Sequence, residues 1–298
     1  PIPLLLDTGK ITSNVAYPTT TDPGADPAVW DTSASYAEGD QVYVLSTSMI
    51  YQNIYEGVTD NTVSSPEINV TEATPKWAEL SYMNRWKMFD LTRGYSTYKT
   101  SPITITLTPG KIISSIALLG MSGVTSVLIT AVNGVGTNVY NPTSTPYTGT
   151  DIKNYVVYDL PPVLSIVVTI TISGSGTVGC THFVAGTPEF LGTIQDDITR
   201  DSINFSTVDR DTYGTATLVK RRSVPKVTYT LFTNASEIER ILTVRDDLNA
   251  ETALWSGLDA DVSNNYYDAV LILGFYRNFS ITLDNILAST ISLELEEL

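Results

Sequence analysis

The stretch Ser101–Gly110, SPITITLTPG, alternates apolar and polar side chains with a period of two, and no other feature narrows the possible folds as much. Successive side chains of a strand point to opposite faces, so Ile103, Ile105 and Leu107 line one side while threonines line the other. The same period returns in Thr125–Val132 and Leu164–Ser173, and Lys111–Gly120 and Tyr155–Leu160 add apolar runs of strand length. Gly, Pro or Asn stands between most of them, and no helix-period segment long enough for a parallel crossover intervenes. Residues 84–226 are therefore expected to form a central antiparallel β-sandwich.

The flanks read differently. Residues 1–29 mix Thr, Pro, Asp and Gly without a period, as in Tyr17–Pro27, and predict an extended N-terminal arm that gains order by wrapping an adjoining subunit. Residues 30–83 predict a small aromatic-rich β module with strands at Gln41–Leu45, Met49–Tyr55 and Lys76–Leu80, broken by a turn at Glu38–Asp40 and a loop at Thr59–Pro66. So short a unit has little interior, and large rings fill it economically. Residues 227–298 predict an α+β segment. Val227–Phe232 reads as a strand, and Ser236 with Glu239 has capping-box spacing. Ile238, Ile241, Leu242 and Arg245 then share one face of a short helix. Strands are expected at Tyr267–Tyr276, Asn278–Leu283 and Thr290–Leu298. The expected fold class is mainly β.

Charge and composition exclude several functions. Seventeen basic against 32 acidic residues give a net charge of -15, which repels phosphate backbones and anionic membranes, so nucleic acid is not an expected partner. The basic run Lys220–Arg222 is expected to be solvated or paired within the fold. Cys180 is the only cysteine, which removes internal disulfides and cysteine-held metal clusters. No run approaches the 18 apolar residues of a membrane span, so no membrane insertion is expected.

Catalytic constellations are equally scarce. His182 is the only histidine, no Gly-x-Ser-x-Gly elbow accompanies it, and a structural role is expected. Gly174–Gly179 spells Gly-x-Gly-x-x-Gly after a strand, but Cys180–Phe190 carries Gly and Pro where a dinucleotide site needs a helix, so a turn is expected. Asp196, Asp197, Asp209 and Asp211 cluster as candidate hydrolytic carboxylates, although sequence spacing does not report the separation such chemistry requires. No metal and no cofactor are expected, and the chain is not expected to be an enzyme.

Exposed rings can stack on the apolar face of a sugar, and Trp30, Tyr36, Tyr43, Tyr51, Tyr55 and Trp77 are the rings available. Trp30, then Tyr36–Val42 (YAEGDQV), Tyr51, Pro66 and Trp77 resemble in order the small chitin- and cellulose-binding modules appended to bacterial chitinases. Those modules carry a Trp-rich pair after the central Tyr, where this chain has Ile54 and Tyr55. The resemblance implies Tyr51, Tyr55 and Trp77 as candidate glycan-contacting residues.

Asn84–Asp90 directly after this module resembles the junction in a family of tail-associated structural proteins of bacterial viruses. Thr181–Thr193, Val219–Arg222, Leu273–Ile281 and Ile291–Leu298 are similar to the same family. This implies a virion component of a bacteriophage tail (tail tip, baseplate or collar), made in the bacterial host cytoplasm. It also implies a homo-oligomer whose partners are other tail proteins and copies of itself, with host surface glycan as a further weak partner. Two alternatives stay open: a secreted carbohydrate-binding protein using the same rings, and a glycan depolymerase using the acids near Asp197.

Overall fold

A computed structural model describes residues 10–59, 64–91, 94–141, 143–195, 198–257, 268–283 and 288–298. The chain is mainly β and divides into two compact units, Ile2–Thr187 and Pro188–Leu298.

The first unit holds the sandwich. Its larger sheet runs in the order Ile11–Ser13, Ile103–Leu107, Val167–Ser173, Ser126–Val132 and Asn138–Tyr140, with Tyr147–Thr148 also paired to Ser126–Val132. Antiparallel register places Ile105 opposite Ile170 and Ile170 opposite Ile129, with Leu107, Val168 and Ala131 in the adjoining row. All six are buried, while Thr106, Thr169 and Thr130 form a row on the other face. The period-two pattern thus lays one apolar wall of a core. Ile116, Leu118, Val157, Phe183 and Ala185 supply the opposing wall from a three-stranded sheet of Tyr155–Val157, Ser115–Leu119 and His182–Gly186.

The described part of the N-terminal segment is not a free arm. Ile11–Ser13 pairs with Ile103–Leu107, and Ile11 and Val15 are buried in the sandwich core. Asn14 continues the edge with its side chain: Nδ2 donates to the Pro102 carbonyl at 3.0 Å, and Oδ1 accepts from the Thr104 N–H at 2.8 Å. Alternate side chains of this short stretch match an open edge of the chain's own sheet, so Ile11–Val15 belongs to the sandwich and not to an arm without contacts. Residues 1–9 lie outside the described residues.

The aromatic module folds as a four-stranded sheet, Ala28–Val29, Gln41–Val44, Met49–Asn53 and Trp77–Tyr82, with the first pair parallel and the others antiparallel. One face packs Val42, Val44, Met49, Tyr51 and Trp77 together under Trp30 and Tyr36. On the other face Ile50 joins the sandwich core, with Tyr43 and Leu80 packed against it. The module is thus continuous with the sandwich.

Asn84–Asp90 is the buried seam between them. Asn84 donates its N–H to Asp26 Oδ1 at 2.7 Å and its Nδ2 to the Tyr98 carbonyl at 2.8 Å, while its Oδ1 accepts from the Tyr98 N–H at 2.9 Å. A fully buried Asn whose groups are all paired braces the backbone it joins.

The second unit is built on a six-stranded sheet ordered Thr193–Ile194, Ser223–Asn234, Ala288–Glu297, Leu271–Thr282 and Ala253–Ser256, with Thr199–Asn204 also paired to Ser223–Asn234. Thr193–Ile194 and Thr199–Asn204 both pair with Ser223–Asn234, so this unit, which begins at Pro188, holds residues on both sides of the boundary expected at 226. The two strands expected on either side of Arg277 are one, Leu271–Thr282, whose register shifts between Tyr276 and Asn278. A bulge accommodates the change of phase that reads in sequence as a break. Close strand approach explains Gly274, where a Cβ would sit 1.9 Å from the Glu296 carbonyl oxygen.

The expected helix forms at Ile238–Asp247, after a 3-10 turn at Ala235–Glu237. Its N-cap is Glu237, with no side-chain cap bond, so the capping box at Ser236 and Glu239 does not form. Ile241 is the fully buried member of the expected apolar face. Arg240 ties the first turn to Glu237 at 3.0 Å and Glu189 at 2.7 Å.

Candidate functional site

Of the three rings implicated in glycan contact, Tyr51 is 1% exposed, Trp77 2% and Tyr55 44%. Tyr51 and Trp77 alternate onto the inner face of the module sheet, and Trp77 meets Tyr36 edge-on with centroids 5.4 Å apart. Asn69 accepts the Lys76 and Trp77 N–H groups at 2.7 and 3.1 Å, which holds the backbone at the Trp77 strand's entry. A ring enclosed in this way has no face to offer a sugar, so the glycan-contact expectation is corrected for Tyr51 and Trp77.

Tyr55 stands just beyond Met49–Asn53, where the Asn53 side chain accepts its N–H at 3.1 Å. Lys76 Nζ lies 4.5 Å from its ring centroid, and Gly57 lies so near that a Cβ there would come within 2.5 Å of the ring. Part of this exposed ring is thus already engaged by its own chain.

The candidate catalytic groups are scattered. His182 opens the strand His182–Gly186, and burial depresses its pKa from 6.5 to about 4 while the nearby Asp90 charge acts in the opposite direction. It is held neutral at physiological pH. Cys180 is fully buried and its thiol is pushed up to about 12, so little of it is the reactive thiolate. Residues 174–176 join Val167–Ser173 to Thr177–Cys180, strand to strand, Gly179 lies within the second strand, and the strand His182–Gly186 follows where a dinucleotide site needs a helix. Among the described residues no group of three or more His, Cys, Asp or Glu side chains has metal-holding geometry, and no helix is long and apolar enough to cross a membrane.

Asp196 and Asp197 lie outside the described residues. Asp209 and Asp211 fall on a β-hairpin, Asp209 in its first strand and Asp211 in its turn. Beyond the Asn204–Ser223 pair, Thr207–Arg210 pairs with Ala216–Val219, extending the sheet as a two-stranded ribbon. Residues 205–206 oppose 220–222 as a bulge, clasped by Arg221 N–H donating to Ser206 Oγ at 2.9 Å. At the tip Asp211 accepts the N–H groups of Tyr213 and Thr215 on one carboxylate oxygen, at 2.9 and 2.8 Å. Gly214 takes φ +83°, a left-handed conformation suited to glycine. Asp211 is thereby a turn-forming residue.

Every residue of both ribbon strands is exposed. Val208 and Leu218 face each other in register at 56% and 74% exposure, and Tyr213 at the tip is 93% exposed. Phe205 and Val219 add further open apolar surface. Alternation is weak here, since Asp209, Arg210 and four threonines interrupt the apolar residues. The Asp-Thr-Tyr-Gly-Thr stretch between Val208 and Leu218 was the readable signal of a hairpin. Of the basic run at the ribbon's base, Arg222 pairs with Glu297 at 3.6 Å and with the Leu298 carbonyl, while Lys220 and Arg221 are exposed.

No protein-family model matches this chain, and no curated protein sequence matches it.

Proposed function

We propose that this chain is a structural assembly protein, a component of a bacteriophage tail at its tip, baseplate or collar, that works by docking onto neighbouring protein subunits. The supporting observation is the ribbon at 205–222, which carries large apolar side chains that the described chain leaves uncovered. Apolar surface of this kind, concentrated on a projecting two-stranded element, is suited to burial by another protein. The tail assignment rests on the likeness of Asn84–Asp90 and the later segments to tail-associated proteins.

Mass spectrometry of density-purified tails is the test. The polypeptide is expected in stoichiometric amount, and its absence from intact particles would overturn the reading. A weak host-glycan contact is a second reading favoured by Tyr55, the exposed ring of the three. A glycan array should then show binding by the native chain and its loss in Tyr55→Ala.

A further inference from the structure

We infer that the ribbon at 205–222 is a docking arm whose occupant is a second copy of this chain. The inference rests on the assembly reading above and assigns the partner.

A hairpin of two strands with both faces in water is marginal by itself. Here the bulge clasp and the Asp211-centred turn hold it in one shape, so little conformational freedom remains to be lost on association. The tip carries Tyr213, a ring with a polar end of the sort that anchors protein interfaces. Behind it the Val208–Leu218 pair offers an apolar cross-strand patch.

Charge identifies the partner. The segment 205–222 contains four of the chain's 17 basic residues and only two of its 32 acidic ones, and of the four Arg222 is paired with Glu297 while Lys220 and Arg221 are exposed. It is a cationic element on a molecule of net charge -15, so each copy carries both the arm and an anionic body that attracts it. The anionic body repels other copies, and a cationic arm is where that repulsion reverses. Contact of an arm with a different patch on the next copy builds closed rings when the rotation closes, as a multi-copy particle component requires.

The experiment is sedimentation velocity and light scattering on the full chain at low and high salt, for the native protein, Val208→Asp/Leu218→Asp and Lys220→Glu/Arg221→Glu. The native chain is expected to self-associate. The apolar-patch variant should weaken association at least ~10-fold at both salt concentrations. The charge variant should weaken it mainly at low salt and flatten the salt dependence. Unchanged circular dichroism confirms folded variants. Native protein that stays monomeric at about 50 µM, well above a micromolar Kd, overturns the inference, as does association that both variants retain. Monomeric protein that is nevertheless found in purified tails would sink this inference alone. Ribbon-dependent association of a protein absent from tails would sink the tail reading alone.

Discussion

The aromatic module and the 205–222 ribbon are both short β structures with large apolar side chains, and they dispose of them in opposite ways. In the module, four strands make a sheet wide enough to be covered on both sides: Tyr51 and Trp77 face an inner cluster, and Ile50 faces the sandwich core. In the ribbon, two strands make no such layer, and Val208, Leu218 and Tyr213 stay in water. Rings and branched chains alone therefore do not mark a binding surface. What marks it is whether the chain supplies a second layer to cover them.

The sharpest break of this contrast is truncation on each side. Trp77→Ala should cost about 3–5 kcal/mol of unfolding free energy by urea titration, as expected for a large ring removed from a packed interior. If the module's rings were instead a ligand platform, the loss would be small.

The buried side of the comparison also has a pH signature. Above pH 6.5 His182 is neutral folded and unfolded, and adds nothing to pH dependence. Below 6.5 the unfolded chain takes up a proton that the folded chain, with its pKa near 4, does not. Stability should fall between pH 6.5 and about 4, by ~3 kcal/mol at most, and then level off in this respect. His182→Asn should flatten that window in acid denaturation curves, whereas ribbon variants should leave it unchanged.

A smaller effect is expected at Asn69, whose carbonyl oxygen serves the Lys76 and Trp77 N–H groups. Asn69→Ala should cost about 1–3 kcal/mol by leaving buried backbone donors unpaired, measured by thermal or chemical unfolding. Smallest of all, Tyr213→Ala should change monomer stability by less than ~0.5 kcal/mol, because the ring makes little contact within the chain. A large loss there would mean that the ribbon packs on its own unit.

The sandwich strands Ile103–Leu107, Ser126–Val132 and Val167–Ser173 were legible because one face of each is buried and the period of two survives over five to seven residues, whereas His182–Gly186 in the opposing wall was not. In the module, Gln41–Val44, Met49–Asn53 and Trp77–Tyr82 were legible within one or two residues, whereas the short strand Ala28–Val29 fell within the expected arm. Less readable was anything set by a partner strand. The bulge near Arg277 looked like a break, the edge strand Ile11–Ser13 looked like a loose arm, and the ribbon had too little alternation to register. For the candidate rings, sequence order alone did not distinguish Tyr55 from Tyr51, although they lie on different sides of the solvent boundary.

By itself the amino-acid sequence determined a mainly β chain, acidic, without disulfides, whose apolar residues alternate strongly enough to demand a layered core. Tertiary structure alone decided which apolar side chains are covered. Period two specifies that alternate residues share a face, but not which other layer, if any, will lie against that face. That depends on contacts between residues far apart in the chain, which bury Ile50 in the sandwich core and, among the described residues, leave Leu218 exposed.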